Sequence, residues 1–479
     1  MRAKSNNLNT DRLREECGVF AIYNHPESAI ITYLGLYALQ HRGQESAGIV
    51  SSDRQQLYQH KAMGEVREVF TEEVLAELKG SIAIGHVRYS TTGTSTLNNA
   101  QPIKADSLHG SMAVAHNGNL INALELREEL EQDGAIFQTT SDSEVVLHLI
   151  SHSPEKDKLS AFIYALSRLK GAYSLVGCTE DMLIASRDPR GFRPLCVGRL
   201  NGAVVFASES CAFDIVGAEF IRDIEPGEVA VVRHNQLESL KPFPSQPYSL
   251  CAFENIYFSR PDSIVDGLSI YEVRKQLGSI LAGEAPINAD LVIPVPDSSN
   301  VAALGYAQES GIPFEFGLIR SHYIGRTFIE PMQRIRDFGA KLKYNAVRET
   351  LTGKRVVVVD DSIVRGTTSG KIINMLRRAG AKEVHLRISS PTITHPCFYG
   401  IDTPTRDELI GSSSTVPEIA QYIGADSLAY ISMDGLKQAV GENITAHCYA
   451  CFSGDYPIEI PPDVGKKALE GKFRKTKMF

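Results

Sequence analysis

Residues 355–370 read Arg-Val-Val-Val-Val-Asp-Asp-Ser-Ile-Val-Arg-Gly-Thr-Thr-Ser-Gly, and this string constrains the fold more than any other part of the chain. Val356, Val357, Val358 and Val359 make a strand that is apolar on both faces, as expected where helices cover both sides of a parallel sheet. Asp360 and Asp361 follow at its C-terminal end, then a Gly/Thr/Ser turn. Residues 371–378 continue as a helix with Ile372, Ile373 and Leu376 on one face. At such a strand end the backbone N–H groups of the turn and of the helix N-terminus point at one spot. A phosphate monoester there would meet Thr367, Thr368 and Ser369, with Asp360 and Asp361 beside ribose hydroxyls and any Mg²⁺ accompanying a diphosphate. Acids and hydroxyls that merely cap the helix are the plain alternative, and the full thirteen-residue string speaks against it. The segment is neither a P-loop nor a dinucleotide fingerprint.

One such sheet does not use up 479 residues, because single cores stop growing at roughly 250–300 residues. Two domains are expected. The segment 241–247, Lys-Pro-Phe-Pro-Ser-Gln-Pro, disfavours both helix and central strand and reads as the linker. Before it, short strands at 82–89, 112–116, 173–177, 182–186, 203–208 and 228–233 alternate with turns. Helical stretches near 122–132 and 142–152 interrupt them, which is the order of an α+β layered domain. After the linker, apolar runs at 291–295, 356–359 and 384–388 are separated by helical patterns, as in an α/β domain with a parallel sheet. Residues 1–16 are polar and read as a tail, so the expected divisions are 1–16, 17–240, 248–465 and a C-terminal tail at 466–479.

A net charge of −8 argues against nucleic acid as a partner, though a local basic cluster could still hold a small phosphorylated ligand. No apolar run reaches the roughly 18 residues of a membrane span, and no secretory h-region opens the chain. No membrane association and a cytoplasmic location are therefore expected. Eight cysteines are too few for a disulfide scaffold at this length, which leaves metal binding, catalysis and core packing as their uses. Cys448 and Cys451 form a C-x-x-C pair, and Cys251 and Cys397 could complete four thiolates if the fold gathers them. Spacing alone slightly favours zinc over an iron–sulfur cluster, since both accept four cysteines. Cys178, Cys196 and Cys211 read as core residues, and Cys17 taken alone as a buried strand cysteine.

Residues 357–369 resemble the phosphoribosylpyrophosphate loop of type I phosphoribosyltransferases. The resemblance implies that Asp360, Asp361, Ser362, Arg365, Gly366, Thr367, Thr368 and Ser369 bind phosphoribosylpyrophosphate and that pyrophosphate is displaced at the anomeric carbon. The segment 293–299, Ile-Pro-Val-Pro-Asp-Ser-Ser, is similar to the strand end through which amidotransferases of this kind hold the diphosphate and its metal. It adds Ser298 to Asp360 and Asp361 as contacts of one Mg²⁺ per subunit. Residues 321–328 resemble the loop that closes over the substrate, with Arg326 and Lys343 available to the pyrophosphate; Arg320-Ser321-His322 stands where many members carry Lys-Asn-Arg.

In the first half, Cys17-Gly18-Val19-Phe20, residues 40–48 (Gln-His-Arg-Gly-Gln-Glu-Ser-Ala-Gly), residues 85–91, His116-Asn117-Gly118-Asn119-Leu120 and Ser141-Asp142 resemble class II glutamine amidotransferases, in the family order. The implied fold is an N-terminal-nucleophile hydrolase domain, an αββα sandwich. Amide hydrolysis needs a nucleophile, a base and donors for the tetrahedral oxyanion. Cys17 at a mature N-terminus would supply both thiol and base, because an α-amino group titrates at about 7.7–8.0. This requires residues 1–16 to be a propeptide. The same resemblance implies that Asn117 and the Gly118 N–H form the oxyanion hole, that Arg88 pairs with the substrate α-carboxylate through its planar fork, and that Asp142 holds the α-amino group. A surface ion pair is the plain alternative for Arg88 and Asp142. His41, Arg42 and Gly43 are expected to shape a closing loop rather than perform chemistry.

Together the halves resemble glutamine phosphoribosylpyrophosphate amidotransferases, one branch of which carries a [4Fe–4S] cluster on cysteines at the positions of Cys251, Cys397, Cys448 and Cys451. The resemblance reverses the preference for zinc and implies one cluster per subunit. It further implies that glutamine and phosphoribosylpyrophosphate give 5-phosphoribosylamine, glutamate and pyrophosphate in the first step of de novo purine biosynthesis. Ammonia would pass through an internal channel, purine nucleotides would act as feedback inhibitors, and the assembly would be a homotetramer. Another class II amidotransferase would need a sugar-isomerase or ATP-binding second half, which residues 360–369 oppose. A phosphoribosylpyrophosphate-sensing regulator would leave the Cys17 constellation without purpose.

Overall fold

A computed structural model describes residues 17–89, 95–107, 110–321, 344–441 and 446–461. The expected tails, 1–16 and 466–479, lie outside them. Within the strand Gly18–Tyr23 the side chains alternate, and both sets are buried: Val19, Ala21 and Tyr23 enter one core, Phe20 and Ile22 another. A strand buried on both faces must have a layer on each side.

On one side lies the helix Ser28–Ala38, so close that a Cβ on Gly35 would stand 2.3 Å from the Phe20 ring. The strand belongs to a seven-stranded sheet ordered Glu219–Asp223, Cys196–Leu200, Ala203–Ala207, Gly18–Tyr23, Ile82–Arg88, Ser46–Ser52, Leu57–Met63. On the other side lies a six-stranded sheet ordered Gln236–Leu240, Val229–Arg233, Leu183–Arg187, Gly171–Thr179, Gly110–Leu120, Ile103–Ser107. Between them Val19, Ala21 and Ile84 meet Ala113, Val176 and Ala185. Helices Ala123–Gln132, Glu144–Ser151 and Lys158–Arg168 cover the outer face of the second sheet and bury Leu126, Leu130, Val146 and Phe162, each side chain contributing about 1.5–3 kcal/mol. The layers run helix, sheet, sheet, helix, as the resemblance implied.

In the second half a four-stranded parallel sheet is ordered Leu291–Pro294, Arg355–Asp360, Glu383–Ile388, Ser427–Tyr430. The four valines again alternate. Val357 and Val359 pack with the helices Ile270–Glu284 and Asn300–Ser310, and Val356 and Val358 with Thr367–Arg378 and Val416–Ile423. Helices on both faces are what the valine run demanded. No helix among the described residues is long and apolar enough to cross a membrane.

Candidate functional site

Cys17 immediately precedes Gly18, the first residue of its strand, which pairs with Val87, so its side chain sits at the end of the sheet rather than within the ladder. Burial pushes its thiol up to about 11, against the pull of the Arg88 guanidinium; Asp142 is a further charged neighbour. The thiol donates to the Tyr89 carbonyl at 3.6 Å. Cys17, Arg88 and Asp142, far apart in sequence, are all buried, and the charges of Arg88 and Asp142 act on the thiol. At neutral pH such a thiol is protonated, and attack on an amide needs a base beside it.

Asn117 and Gly118 lie on the strand Gly110–Leu120. The Asn117 amide nitrogen approaches the Ser208 hydroxyl at 3.5 Å, and that hydroxyl accepts the Val19 N–H at 3.0 Å, which ties Asn117 to the nucleophile's own strand. Among the described residues the buried Asn117 Oδ1 has no hydrogen-bond partner, so a polar ligand group could be accommodated there. Gly118 has φ +144°, and a Cβ there would stand 2.1 Å from the Ala172 carbonyl oxygen, so only glycine turns the backbone this way. Asp142, just before the helix Glu144–Ser151, accepts the Leu120 N–H at 3.0 Å and the Ser143 hydroxyl at 3.3 Å. Ser208, which braces this arrangement, carries no motif that sequence reasoning could use.

At the strand ends of the second half, the Ser298 hydroxyl donates to Asp361 at 2.6 Å and the Ser299 hydroxyl to Asp360 at 3.4 Å. Ser362 donates to the other Asp361 oxygen at 2.7 Å. Gly366, at φ +79°, turns the chain into the helix Thr367–Arg378, whose first turn carries Thr367, Thr368 and Ser369. Arg365 pairs with Glu408 at 3.1 Å at the loop's edge. Arg326 and Lys343 lie outside the described residues. The donors gathered here are hard oxygens, which suit Mg²⁺. Among the described residues no three His, Cys, Asp or Glu side chains converge to hold a metal ion. That is compatible with Mg²⁺, which is usually bound by one or two carboxylates completed by substrate phosphates and water.

The short strands Leu250–Cys251 and His447–Cys448 pair in parallel, with Cys251 opposite Cys448. Cys451 follows in the helix Ala450–Ser453, and its carbonyl accepts the N–H groups of Thr394 and His395, both at 3.0 Å, which brings the Cys397 loop alongside. The four thiols are unpaired by disulfides and feel one another's charge, and burial pushes Cys251 and Cys448 up to about 12. They are neighbours without the tight convergence of a single-ion site. Four thiolates are a donor set that suits either a zinc ion or an iron–sulfur cluster. Cys178 and Cys196 are buried in the sheet cores, and Cys211 is buried at the start of the helix Cys211–Val216.

The cysteine segment also touches the first site. Asn119 donates to the Phe398 carbonyl at 2.8 Å, and a Cβ on Gly400 would stand 3.2 Å from Gly118. The loop after Cys397 therefore backs the strand that carries Asn117 and Gly118.

A family model described as a glutamine amidotransferase domain matches residues 86–214. The chain is 56% identical over 470 residues to Amidophosphoribosyltransferase 1, chloroplastic, of Arabidopsis thaliana, covering 98% of this chain and 83% of that one. It is 52% identical over 456 residues to the amidophosphoribosyltransferase of Bacillus subtilis, covering 94% and 96%. The solved glutamine phosphoribosylpyrophosphate amidotransferase from B. subtilis complexed with ADP and GMP superposes with a TM-score of 0.89 at 50% identity, over 95% of this chain and 100% of that one.

Proposed function

The chain belongs to the amidophosphoribosyltransferase family, and on that premise we propose how its residues divide the reaction. The activity is the family's, at the first step of purine biosynthesis: glutamine supplies nitrogen to phosphoribosylpyrophosphate, and the products are 5-phosphoribosylamine, glutamate and pyrophosphate. One observation carries the assignment of roles. The buried Cys17 thiol lies under the charges of Arg88 and Asp142 in one half, while Ser298 and Asp361 meet at the strand ends of the other.

The Cys17 thiol adds to the carboxamide carbon and its proton passes to the Cys17 α-amino group, the one base near neutrality that such a residue carries with it. The Asn117 Nδ2–H and the Gly118 N–H face the oxyanion. Collapse expels ammonia with that proton, and water then releases glutamate from the thioester. Arg88 grips the substrate α-carboxylate and Asp142 its ammonium group. Ammonia travels inside the protein to the second site.

There the 5-phosphate rests on Thr367, Thr368 and Ser369, and Asp360 and Asp361 accept from the ribose hydroxyls. Ser298, Asp360 and Asp361 would hold one Mg²⁺ per subunit, which when bound neutralises charge on the diphosphate leaving group. Purine nucleotides inhibit the enzyme, a reading supported by the ADP and GMP bound in the B. subtilis structure. The assembly is a homotetramer and the location cytoplasmic.

The test joins activity to mass on one sample. Protein that releases pyrophosphate with glutamine is expected to begin at Cys17, because with residues 1–16 attached the nucleophile has an amide in place of its base. Fully active protein that retains Met1 removes the α-amino group from the mechanism. Absence of glutamine-dependent pyrophosphate release from cleaved protein removes the functional reading altogether.

Cys251, Cys397, Cys448 and Cys451 would hold one [4Fe–4S] cluster per subunit, a structural clamp on segments far apart in sequence. Anaerobically purified protein is expected to be brown, with about four iron and four labile sulfide per chain. Cys448→Ser or Cys451→Ser lowers soluble yield before it alters substrate affinity. A colourless, fully active protein with one tightly held zinc per chain would overturn the cluster.

A further inference from the structure

Once an N-terminal cysteine has lost the residue before it, its main chain is held from one side only. Its thiol and amino group then hang from the peptide plane that joins it to the next residue, and a contact to its carbonyl oxygen holds that plane in place. Cys17 lies before the strand ladder, which begins at Gly18. Its carbonyl oxygen accepts the Arg42 Nε–H at 3.1 Å.

Arg42 is 1% exposed and has no freedom of its own. One terminal nitrogen donates to Glu209 at 2.5 Å and to Glu254 at 3.1 Å, and the other to Glu254 at 2.6 Å. Arg42 and Glu209 belong to the sandwich. Glu254 belongs to the second half, in the turn of helix Glu254–Phe258 just after Cys251. Around Glu254 stand a second sandwich cation, Arg193, and the Ser259 hydroxyl at 2.6 Å. Glu209 in return accepts the Ser263 hydroxyl at 2.7 Å and the Arg260 N–H at 2.8 Å, both from the second half. The pull of Arg42 and Arg193 holds the Glu254 carboxyl down to about 2 against its burial.

Buried ion pairs are a poor way to glue two surfaces, because well-packed apolar residues often do as well or better. What this network adds is direction: a bidentate fork fixes a guanidinium in one orientation, and its Nε–H then fixes one carbonyl. We propose that Glu254, acting through Arg42, is a positioning residue for the Cys17 nucleophile, so that an acid of the phosphoribosyl half sets the geometry of amide chemistry in the other. The inference rests on Cys17 being the nucleophile.

The test compares glutamine hydrolysis with ammonia-dependent synthesis in cleaved wild-type protein, Glu254→Gln, Arg42→Lys and the charge-balanced pair Arg193→Met/Glu254→Met. The amide of Glu254→Gln keeps the shape and loses the charge. It is expected to lower kcat for glutamine hydrolysis about tenfold to hundredfold, the scale of a misplaced reacting group. The KM for glutamine and ammonia-dependent synthesis stay at wild-type values. Arg42→Lys, which keeps the charge and loses the fork, shows the same split. Alkylation of Cys17 by an electrophilic glutamine analogue slows in parallel, because it reads the position of the thiol alone.

The double variant leaves Arg42 paired with Glu209 and stands in if Glu254→Gln does not fold; it is expected to show the same selective loss. Equal loss of both activities in the variant that folds makes Glu254 domain cement and overturns the proposal, as does wild-type hydrolysis. Wild-type protein that uses ammonia but hydrolyses no glutamine defeats the Cys17 assignment instead.

Discussion

Cys17→Ala is expected to lose glutamine-dependent synthesis by a factor on the order of 10³ or more, the scale of removing a covalent nucleophile, while ammonia-dependent synthesis continues at wild-type rate. The other half-chain thiols cannot replace it, since Cys178 and Cys196 are sealed in the sheet cores and Cys211 is buried at the start of the helix Cys211–Val216. Cys17→Ser fails nearly as far. Burial already pushes the thiol up to about 11, and a hydroxyl in the same pocket starts from a much weaker acid. The second activity survives because Asp360, Asp361 and Ser298 belong to another sheet with its own core. Parallel assays with glutamine and with ammonium salt separate the two. Appreciable glutamine use by the alanine variant would sink the two-site mechanism, and loss of ammonia use would mean that the residue supports the fold rather than the chemistry.

What could be read from the sequence was local. The valine strand, its two acids and the turn after it are contiguous, and a run apolar on both faces has one comfortable home. Asn117 and Gly118 were legible for the same reason, because the motif that carries them is unbroken. Strands such as Ser46–Ser52 were not: Ser-Ala-Gly-Ile-Val-Ser-Ser shows no clean alternation, since Ser46, Ser51 and Ser52 are buried beside apolar neighbours. Leu57–Met63 is half-exposed at the sheet edge, with Gln59, His60 and Lys61 in it, and reads as a loop.

Pairings across distance left still less trace. Cys251 and Cys448 sit opposite each other on two-residue strands, too short to have a period. Arg42 looked like part of a closing loop because its partner acids are at positions 209 and 254. A charge in a sequence does not announce whether it will be solvated or buried. In the fold Arg42 is buried between Glu209 and Glu254 and donates to the Cys17 carbonyl.

Asp361→Ala is expected to lose glutamine-dependent and ammonia-dependent synthesis together, on the order of 10²–10³-fold, the scale of removing one preorganised electrostatic contact from a transition state. Both routes end at the same anomeric carbon, so a lesion there cannot spare either nitrogen source. Hydrolysis of glutamine without synthesis should persist, because the Cys17 pocket is untouched. The carboxylate is braced by Ser298 on one oxygen and Ser362 on the other. Loss of Asp361 also removes the foremost opposing charge near the buried Arg274, whose guanidinium burial pulls down to about 10. Part of any loss could then be structural, and glutamine hydrolysis in the near-isosteric Asp361→Asn separates the two causes, because a variant that has lost its fold loses that activity as well. Folded Asp361→Asn that hydrolyses glutamine but makes no phosphoribosylamine from either nitrogen source places the defect in the chemistry. Either variant making phosphoribosylamine from ammonia at wild-type rate would remove Asp361 from the acceptor site.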